Sequence, residues 1–424
     1  MCASDTIDEQ DSARQHFDQS SMFWSQRDIA ASSADYSLEE LAGLDERVEF
    51  HIGDLRASGE HGWCACETGL KHETPGSIFA TSIIAFESGD AEKIDRVVSV
   101  SSNSQSAFRE TISALGWLDG TYFRSVILDL VGAKSWQHRS LGIAACGVRR
   151  INPKAYLNQA TESSNLFLKT RAFKTAGQLK REDMLPVLQE NFKNAVPACR
   201  FEAARSALLL GDRSALNTLG DFVLSHSKHT LPAMQVALRV ADAQTALEWL
   251  KTQSRNPKRR REMLTGTCIA GNSAYIPILI KQMQVPELAR AAGDAFTTIT
   301  GIKLSEGGLE GAWPDGYEFE AELNQEDANT GTDPDKELSW PNADLVAKWW
   351  QQNSETFAPR TRFLSGAAIS AEHCMQMLIN GNQRNRHAAA LELALAQADA
   401  PYFNTKAPAE WQKKKLQEMG QHNG

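Results

Sequence analysis

Side chains that can bind zinc are concentrated in one short stretch of the chain. His51, His61, Cys64 and Cys66 lie within sixteen residues of one another. Their spacing matches no common zinc pattern, because Cys-x-Cys holds its sulfurs closer together than the usual Cys-x-x-Cys does. We therefore expect no metal site here. Instead, we expect the His51 side chain to face a helix. We expect Trp63 to pack a loop in place.

Other chemistry-bearing residues also favour structural roles. The sequence contains no phosphate-binding loop, nucleotide-binding glycine fingerprint, zinc-protease helix or nucleophile elbow. His226 and His229 are typical of a solvated loop, and the basic run at 258–261 is typical of a solvated helix start. Four basic residues are too few to indicate nucleic-acid binding in a chain whose net charge is -9. We expect no catalytic residues, no cofactor and no direct contact with nucleic acid.

Acidic residues are gathered in one segment, at 305–340. It holds eleven Asp or Glu and one Lys, a local charge of -10, which leaves the rest of the chain close to neutral. From Tyr317 to Leu323, apolar and acidic residues alternate, which is the two-residue period of a strand with one buried face. Residues 337–340 could pair with it across a turn. The sequence thus predicts a small acidic, β-rich insert over residues 303–342.

Three interpretations of this insert remain open. It could be a solvated loop, or it could bind calcium, although 327–335 lacks the calcium-loop pattern and its closing Glu. It could also be an acidic recognition surface for a basic protein, because interfaces favour aromatic anchors ringed by charge. On that third interpretation the expected partner-binding residues are Trp313, Asp315, Tyr317, Glu318, Glu320, Glu322, Glu326, Asp327 and Trp340.

A recurrence of thirty residues predicts how the rest of the chain is built. Short breaks close successive apolar helical runs at Gly211, Ala241, Gly271 and Gly301. Two short helices per repeat are typical of an α-solenoid, whose long surface usually holds another macromolecule. We expect a flexible tail over residues 1–20 and helical repeats over 21–302. We expect further helical repeats over 343–424, including helices at 345–351, 363–369, 373–378 and 387–395.

One helix can be predicted from its first residue to its last. Ser37, followed three residues later by Glu40, matches the capping box that begins many helices. Apolar residues then follow at helical spacing, namely Leu41, Leu44, Val48, Ile52 and Leu55. This single apolar stripe predicts a helix that buries one face and ends near Ser58.

Composition limits where the protein works. The chain has 424 residues, of which 42% are hydrophobic, so it can bury a core. The polar first twenty residues lack the pattern of a secretory signal, and no run of about 18 apolar residues predicts a membrane span. The seven cysteines are odd in number and several lie in apolar runs, which favours reduced, buried thiols. We expect a cytoplasmic protein that makes no membrane contact.

Two stretches resemble a known family. Residues 22–63 match its amino-terminal signature at Trp24, Arg27, Leu41, Leu44, Asp45, Arg47, Val48, His51, Gly53, Leu55, Gly62 and Trp63. The stretch HRSLGIAACGVRR at 138–150 looks like its HEAT-like repeats. The resemblance is to helical-repeat bacterial proteins associated with type VI secretion gene clusters. It covers most of the chain, is closest over 22–63 and is looser through the repeats.

The resemblance implies both a fold and a function. The implied fold is mainly α, a HEAT-like α-solenoid with a small β-rich insert. The implied function is that of an immunity protein, which binds a cognate secreted toxin and protects the producing cell. The protein of this kind that the chain looks like guards against a DNA-degrading effector. One alternative is an adaptor or chaperone that loads an effector onto the secretion apparatus. Another is a metal-dependent hydrolase that uses His51, His61 and the acidic residues.

Overall fold

The computed structural model describes residues 2–317, 333, 335–397 and 402–422, and most of these are helical. The mainly α expectation is confirmed. No helix within these ranges is apolar over enough of its length to cross a membrane. The first helices are α1 (Cys2–Ala30), α2 (Leu38–Ala57), α3 (Gly59–Leu70), α4 (Pro75–Ser88), α5 (Ala91–Ser101), α6 (Gln105–Trp117), α7 (Gly120–Gly132), α8 (Trp136–Arg149), α9 (Ala155–Thr161), α10 (Leu166–Gln178), α11 (Leu185–Glu190) and α12 (Pro197–Leu209).

Helices continue after α12, interrupted by one short sheet. The remaining elements are α13 (Ala215–Leu224), α14 (Thr230–Val240), α15 (Ala243–Ser254), α16 (Arg260–Ala270), α17 (Ile276–Gln282), α18 (Pro286–Thr300), α19 (Ala343–Asn353), β1 (Phe363–Leu364), β2 (Ala367–Ala368), α20 (Ala371–Asn380), α21 (Gln383–Ala396) and α22 (Ala409–His422). The chain forms two compact units: Met1–Ala215 with Met375–Gly424, and Leu216–Cys374. This division differs from the expected boundaries at residues 303 and 343.

Helices of the first unit pack in a regular alternation. α4 packs on α6, α6 on α8, α8 on α10 and α10 on α12, while α5, α7, α9 and α11 each pack on the helix that follows. Close approach needs small residues: a Cβ at Gly142 of α8 would lie 2.8 Å from a Val131 side-chain atom, and one at Gly177 of α10 would lie 2.6 Å from Ser206 Oγ. The even-numbered helices therefore form one continuous layer.

The amino-terminal segment differs from the expected flexible tail. α1 begins at Cys2, and Ala13 and Phe17 on it are buried. Gly76 of α4 lets the backbone of α1 come so close that a Cβ there would meet the Ser21 carbonyl oxygen. This burial holds residues 13–20 in the first unit; their polar composition reflects the exposed face of α1.

α2 confirms the helix predicted after Ser37. Ser37 Oγ accepts a hydrogen bond from Glu40 N at 3.2 Å, and Glu40 Oε2 accepts one from Ser37 N at 2.7 Å, which completes the capping box. The predicted apolar stripe is buried at Leu41, Leu44, Val48, Ile52 and Leu55. A capping box combined with a single apolar stripe thus fixed both the start and the orientation of this helix.

The second unit repeats the alternation. α14 packs on α16 and α16 on α18, while α15 and α17 each pack on the next helix. The four breaks of the thirty-residue recurrence all fall just after helix ends, those of α12, α14, α16 and α18. Gly271 and Gly301 cap their helices at φ values of +66° and +75°, which glycine adopts without strain.

Residues 363–369, expected to be helical, form a hairpin instead. Ser365 and Gly366 both have positive φ, which is the geometry of a two-residue hairpin turn, and β1 pairs antiparallel with β2. The hairpin also bonds to helix ends: Phe363 N donates to Gly271 O at 2.8 Å, and Ser365 N donates to Thr298 O at 2.7 Å. The helix prediction was wrong because the Ser-Gly pair is a turn signal within an apolar run.

The predicted β-rich insert lies largely outside the described residues, since 318–332 are not among them. Residues 337–340 do not form a strand. Gly311 N instead donates to Trp340 O, and Asn342 N donates to Leu309 O, each at 2.8 Å. Within the described part of the insert, this single pairing at Glu310 and Pro341 is the only β-type bridge.

Candidate functional site

Three of the residues expected to bind a partner form one aromatic cluster in the second unit. The ring centres of Trp313, Tyr317 and Trp340 lie 5.1–5.8 Å apart. Trp313 Nε1 donates a hydrogen bond to Tyr317 O at 3.0 Å. The cluster is therefore held by both ring contacts and a hydrogen bond to the backbone.

Arg290 of α18 lies against this aromatic cluster. Its guanidinium carbon is 4.8 Å from the ring centre of Trp313 and 5.5 Å from that of Trp340. The side chain is only 3% exposed and donates to Asp333 Oδ2 at 2.6 Å and to Asp335 O at 2.8 Å. Burial opposes ionisation of Asp333, but the bond from Arg290 lowers its pKa overall. The aromatic cluster is thus fixed to the helical layer by a paired, buried cation.

A second arginine neutralises the other buried acid of the segment. Arg261 of α16 bonds both carboxylate oxygens of Asp335, one of them at 2.7 Å. Arg259 is also buried and donates to the carbonyl oxygens of Leu224 and Ser225. The expectation of a solvated basic run was therefore wrong at Arg259, because carbonyl oxygens lie within reach of its side chain; the side chain of Arg261 is paired with Asp335 and remains 41% exposed.

Of the three rings in the aromatic cluster, that of Trp313 is the most accessible to a partner. Trp313 is 50% exposed, Asp315 is exposed, and Tyr317 and Trp340 are partly buried. The other expected partner-binding residues lie outside the described residues, namely Glu318, Glu320, Glu322, Glu326 and Asp327. What the described part offers is an aromatic surface on a rigid base, at the start of an acidic stretch.

The zinc-type residues considered at 51–66 separate in the fold. α3 replaces the expected loop around Trp63; Cys64 on it is exposed, while Cys66 is buried. Burial raises the pKa of the Cys66 thiol to about 12, which keeps it protonated and unreactive. His61, on the same helix, lies 4.0 Å from Glu9 of α1.

His51 lies close to His16 and Asp54 of the first unit rather than to the cysteines. His16 Nδ1 lies 2.9 Å from His51 Nδ1 and 3.2 Å from Asp54 Oδ2. Burial and the neighbouring His16 lower the pKa of His51, although Asp54 opposes them. The two ring nitrogens lie within hydrogen-bond distance, and the three side chains together offer the nitrogen and oxygen ligands that divalent zinc accepts.

The first unit also contains a cavity of about 570 Å³, which was not predicted from the sequence. Its lining includes seven basic side chains, those of Arg109, Arg149, Arg150, Arg171, Lys174, Arg205 and Lys406. None of its lining residues, all within the described ranges, carries a carboxylate. We call this feature the basic cavity.

Successive even-numbered helices supply the cations of the basic cavity. Arg109 lies on α6, Arg149 on α8, Arg171 and Lys174 on α10, and Arg205 on α12. Removal from water, together with nearby cations, lowers the pKa of Lys174 to about 8. The regular helix stacking therefore brings like charges together that lie far apart in sequence.

A segment near the carboxyl terminus forms another wall of the basic cavity. It is fixed by Arg27 of α1, which donates to Lys406 O and Ala407 O, each at 2.9 Å, and to Asp45 Oδ1 at 2.8 Å. Asp45 Oδ2 in turn accepts a hydrogen bond from Ala409 N at 2.6 Å. Arg27 and Asp45, two residues of the family resemblance, thus have a structural role in positioning this wall.

A signal for the basic cavity did exist in the sequence. Lys174 and Arg205 lie 31 residues apart and occupy the same position in α10 and in α12, close to the thirty-residue recurrence. Residues at equivalent positions of stacked repeats face the same surface, so their charges accumulate there. The net charge of -9 concealed this, because the sum over a whole chain says nothing about a local excess of the opposite sign.

No protein-family model, characterised protein or solved structure matches this chain.

Proposed function

We propose that this chain is an immunity protein that binds and neutralises a cognate type VI secretion toxin, a nuclease, in the cytoplasm. Its scaffold is a HEAT-like α-solenoid. The alternation of packed helices within each unit supports that assignment, as do the helix ends that recur every thirty residues. Such scaffolds bind other macromolecules along extended surfaces.

The observation that carries this proposal is the half-exposed Trp313 on its fixed base. Tryptophan anchors are enriched among the residues that dominate binding energy, and a preorganised anchor loses little entropy when it is covered. Arg290 and the two other aromatic rings hold Trp313 in place before any partner arrives. Few exposed aromatic side chains have such support.

Charge supplies the second part of the argument. A nuclease needs a basic surface to hold phosphates, and the stretch that follows Trp313 is strongly acidic in sequence. Complementary charge speeds association and disfavours wrong partners more than it adds affinity. We therefore expect Trp313 to govern the dissociation rate and the acidic residues to govern the association rate.

Co-expression with the product of the neighbouring gene tests the proposal. The toxin alone should arrest growth, and the pair should grow and co-purify. Trp313→Ala should weaken the complex by about 2 kcal/mol, mainly through faster dissociation. Ile278→Ala is the matched control, since Ile278 is an exposed apolar residue of the same unit and is 42% exposed; its complex should be unchanged.

Charge reversal separates the two roles. Replacing Glu318, Glu320 and Glu322 together with Lys should slow association and reduce its dependence on salt. Growth rescue without a complex would contradict direct neutralisation. A complex in which the toxin keeps its full activity would identify an adaptor or chaperone instead.

A further inference from the structure

The basic cavity carries more positive charge than the neighbouring carboxylates of the described residues neutralise. Seven cationic side chains line about 570 Å³, and the lining residues include no carboxylate. Like charges held together and partly removed from water cost folding free energy. The chain has nine more acidic than basic residues, so carboxylates are not scarce. The excess of cations at this cavity is therefore best explained by an anionic ligand.

Some of these cations are held in place by their own bonds. Arg149 Nη1 donates to Gly116 O and Leu118 O, each at 3.0 Å. Arg109 pairs with Glu110 at 2.6 Å and with Asp28 at 3.1 Å. Such side chains contribute a fixed positive potential, but much of their donor capacity is already used.

Three others converge with donor capacity to spare. Arg171 and Lys174 lie one turn apart on the same face of α10, and α10 packs on α12, which carries Arg205. Arg171 rests on the rings of Phe108 and Phe167, at 4.5 and 5.4 Å from their centres. These stacking contacts fix the plane of the guanidinium without using its N–H donors.

The cations of this group are close enough to repel one another electrostatically. The pKa of Lys174 falls to about 8, first because of burial and then because Arg171, Arg205 and Arg150 repel its charged form. Glu202, which lies 3.4 Å from Arg205, is the one carboxylate that opposes this. Within the described residues, no side chain forms an ion pair or hydrogen bond with the Lys174 ammonium.

Size and chemistry together define what would fit. A volume near 570 Å³ is within the range of small-molecule sites, and Trp117, Tyr402 and Trp411 also line the cavity. Guanidinium groups bind phosphate through two parallel N–H donors, and a lysine adds a point charge. A singly charged anion would leave most of the positive charge unneutralised.

We propose that the basic cavity binds a small molecule that carries at least two phosphoryl groups, through Arg171, Lys174 and Arg205. The bound phosphates supply the counter-charge that the neighbouring carboxylates provide only in part. This binding is separate from the proposed recognition of a toxin at Trp313. It makes the first unit a sensor or store for a phosphorylated ligand, whichever partner the second unit binds.

Calorimetric titration of the full-length protein tests this proposal. The probes are tripolyphosphate, ATP, inositol hexakisphosphate, orthophosphate, adenosine and a poly-glutamate peptide. We expect saturable, one-to-one binding of the multiply phosphorylated probes, at least about tenfold tighter than that of orthophosphate, with affinity that falls as salt rises. Tighter binding of ATP than of tripolyphosphate would identify a nucleotide; equal binding would identify the phosphate chain alone.

Two matched pairs of variants locate the site. Lys174→Met and Arg171→Met should each weaken the binding of tripolyphosphate by about tenfold or more. Lys134→Met and Arg124→Met remove the same charges from exposed positions of the first unit that do not line the cavity, and they should bind as the wild type does. Lys174→Met keeps the stem of the side chain, and its folding can be checked by circular dichroism.

Three results would overturn the proposal. One is the absence of saturable binding for every phosphorylated probe. Another is equal loss of affinity in the cavity variants and in their surface controls. The third is tighter binding of poly-glutamate than of all the phosphates, because the cavity would then be a site for an acidic peptide.

Discussion

The acidic, aromatic region of the second unit and the basic cavity of the first treat buried charge in opposite ways. In the second unit, Asp333 and Asp335 are each bonded by an arginine from the helical layer. In the first unit, Arg171 and Lys174 face a cavity whose lining residues include no carboxylate. The acidic, aromatic region supplies its own counterions, whereas the basic cavity holds more cations than its neighbouring carboxylates neutralise.

This difference distinguishes a structural charge cluster from a binding one. An internally paired cluster fixes the chain in place and loses stability when one partner is removed. An unpaired cluster destabilises the fold until a ligand of opposite charge arrives, so removing one of its members should relieve the fold. Opposite signs of stability change are therefore expected at the two regions.

The largest effect should come from Arg290→Met. The substitution leaves Asp333 without its buried partner, removes a donor to Asp335 O, and takes the cation from beneath the Trp313 ring. Breaking a buried pair on one side costs about 3–5 kcal/mol. Urea unfolding should show a loss of that size.

The control for this change is Arg255→Met. Arg255 is an exposed arginine of the same unit, so the same substitution should alter the free energy of unfolding by less than about 0.5 kcal/mol. If Arg290→Met changed the free energy of unfolding no more than this control does, the ion pair of Arg290 would not stabilise the second unit. The proposed contrast between the two regions would then be wrong.

A smaller effect of opposite sign is expected for Lys174→Met. Without bound ligand, the variant should be more stable than the wild type at neutral pH, by on the order of 1–2 kcal/mol, because a repelled and desolvated charge is removed. Lys134→Met, at an exposed position, should leave the stability nearly unchanged.

The pH dependence gives an independent check on Lys174. Its pKa is about 8 in the folded protein and 10.5 in the reference state. Between these values the unfolded chain binds more protons than the folded one, so wild-type stability should rise with pH across that window. This contribution should be absent from Lys174→Met. A destabilised variant that kept the wild-type slope would mean that Lys174 is compensated after all.

Local rules predicted individual helices well. Ser37 and Glu40 predicted the start of α2, and four small-residue breaks predicted four helix ends, because capping and helix termination depend on neighbours in sequence. The hairpin at 363–368 was missed, since an apolar run of that length fits a helix or a strand equally well. The Ser365–Gly366 pair within this run is a turn signal and favours the hairpin over the helix.

The sites were harder to predict because they depend on partners distant in sequence. Trp313 and Trp340 were recognised from composition. The residue that packs against both rings is Arg290, and nothing in the sequence pattern of its helix predicted this contact. The basic cavity needed the stacking of α6 to α12 before its charges could be added up. Sequence thus identified residue types, whereas the fold decided which charges are paired.

His51 provides an intermediate case, and the smallest predicted effect. Its ring is stacked on Phe23 at 5.6 Å and shares a close nitrogen contact with His16, while Asp54 supplies a partial counter-charge. Because its pKa is lowered in the folded state, the unfolded chain takes up the proton first as the pH falls below about 6.5. Stability should therefore decline toward pH 5, by a few tenths of a kcal/mol.

His51→Phe tests whether that decline comes from charge. The variant keeps an aromatic ring against Phe23 but cannot be protonated, so the part of the pH dependence due to His51 should disappear from chemical unfolding curves. An unchanged slope would assign the dependence to other groups, with His16 and Asp54 the nearest of them. A reduced slope would show that Asp54 relieves only part of the repulsion between His51 and His16, much as Glu202 relieves only part of the repulsion around Lys174.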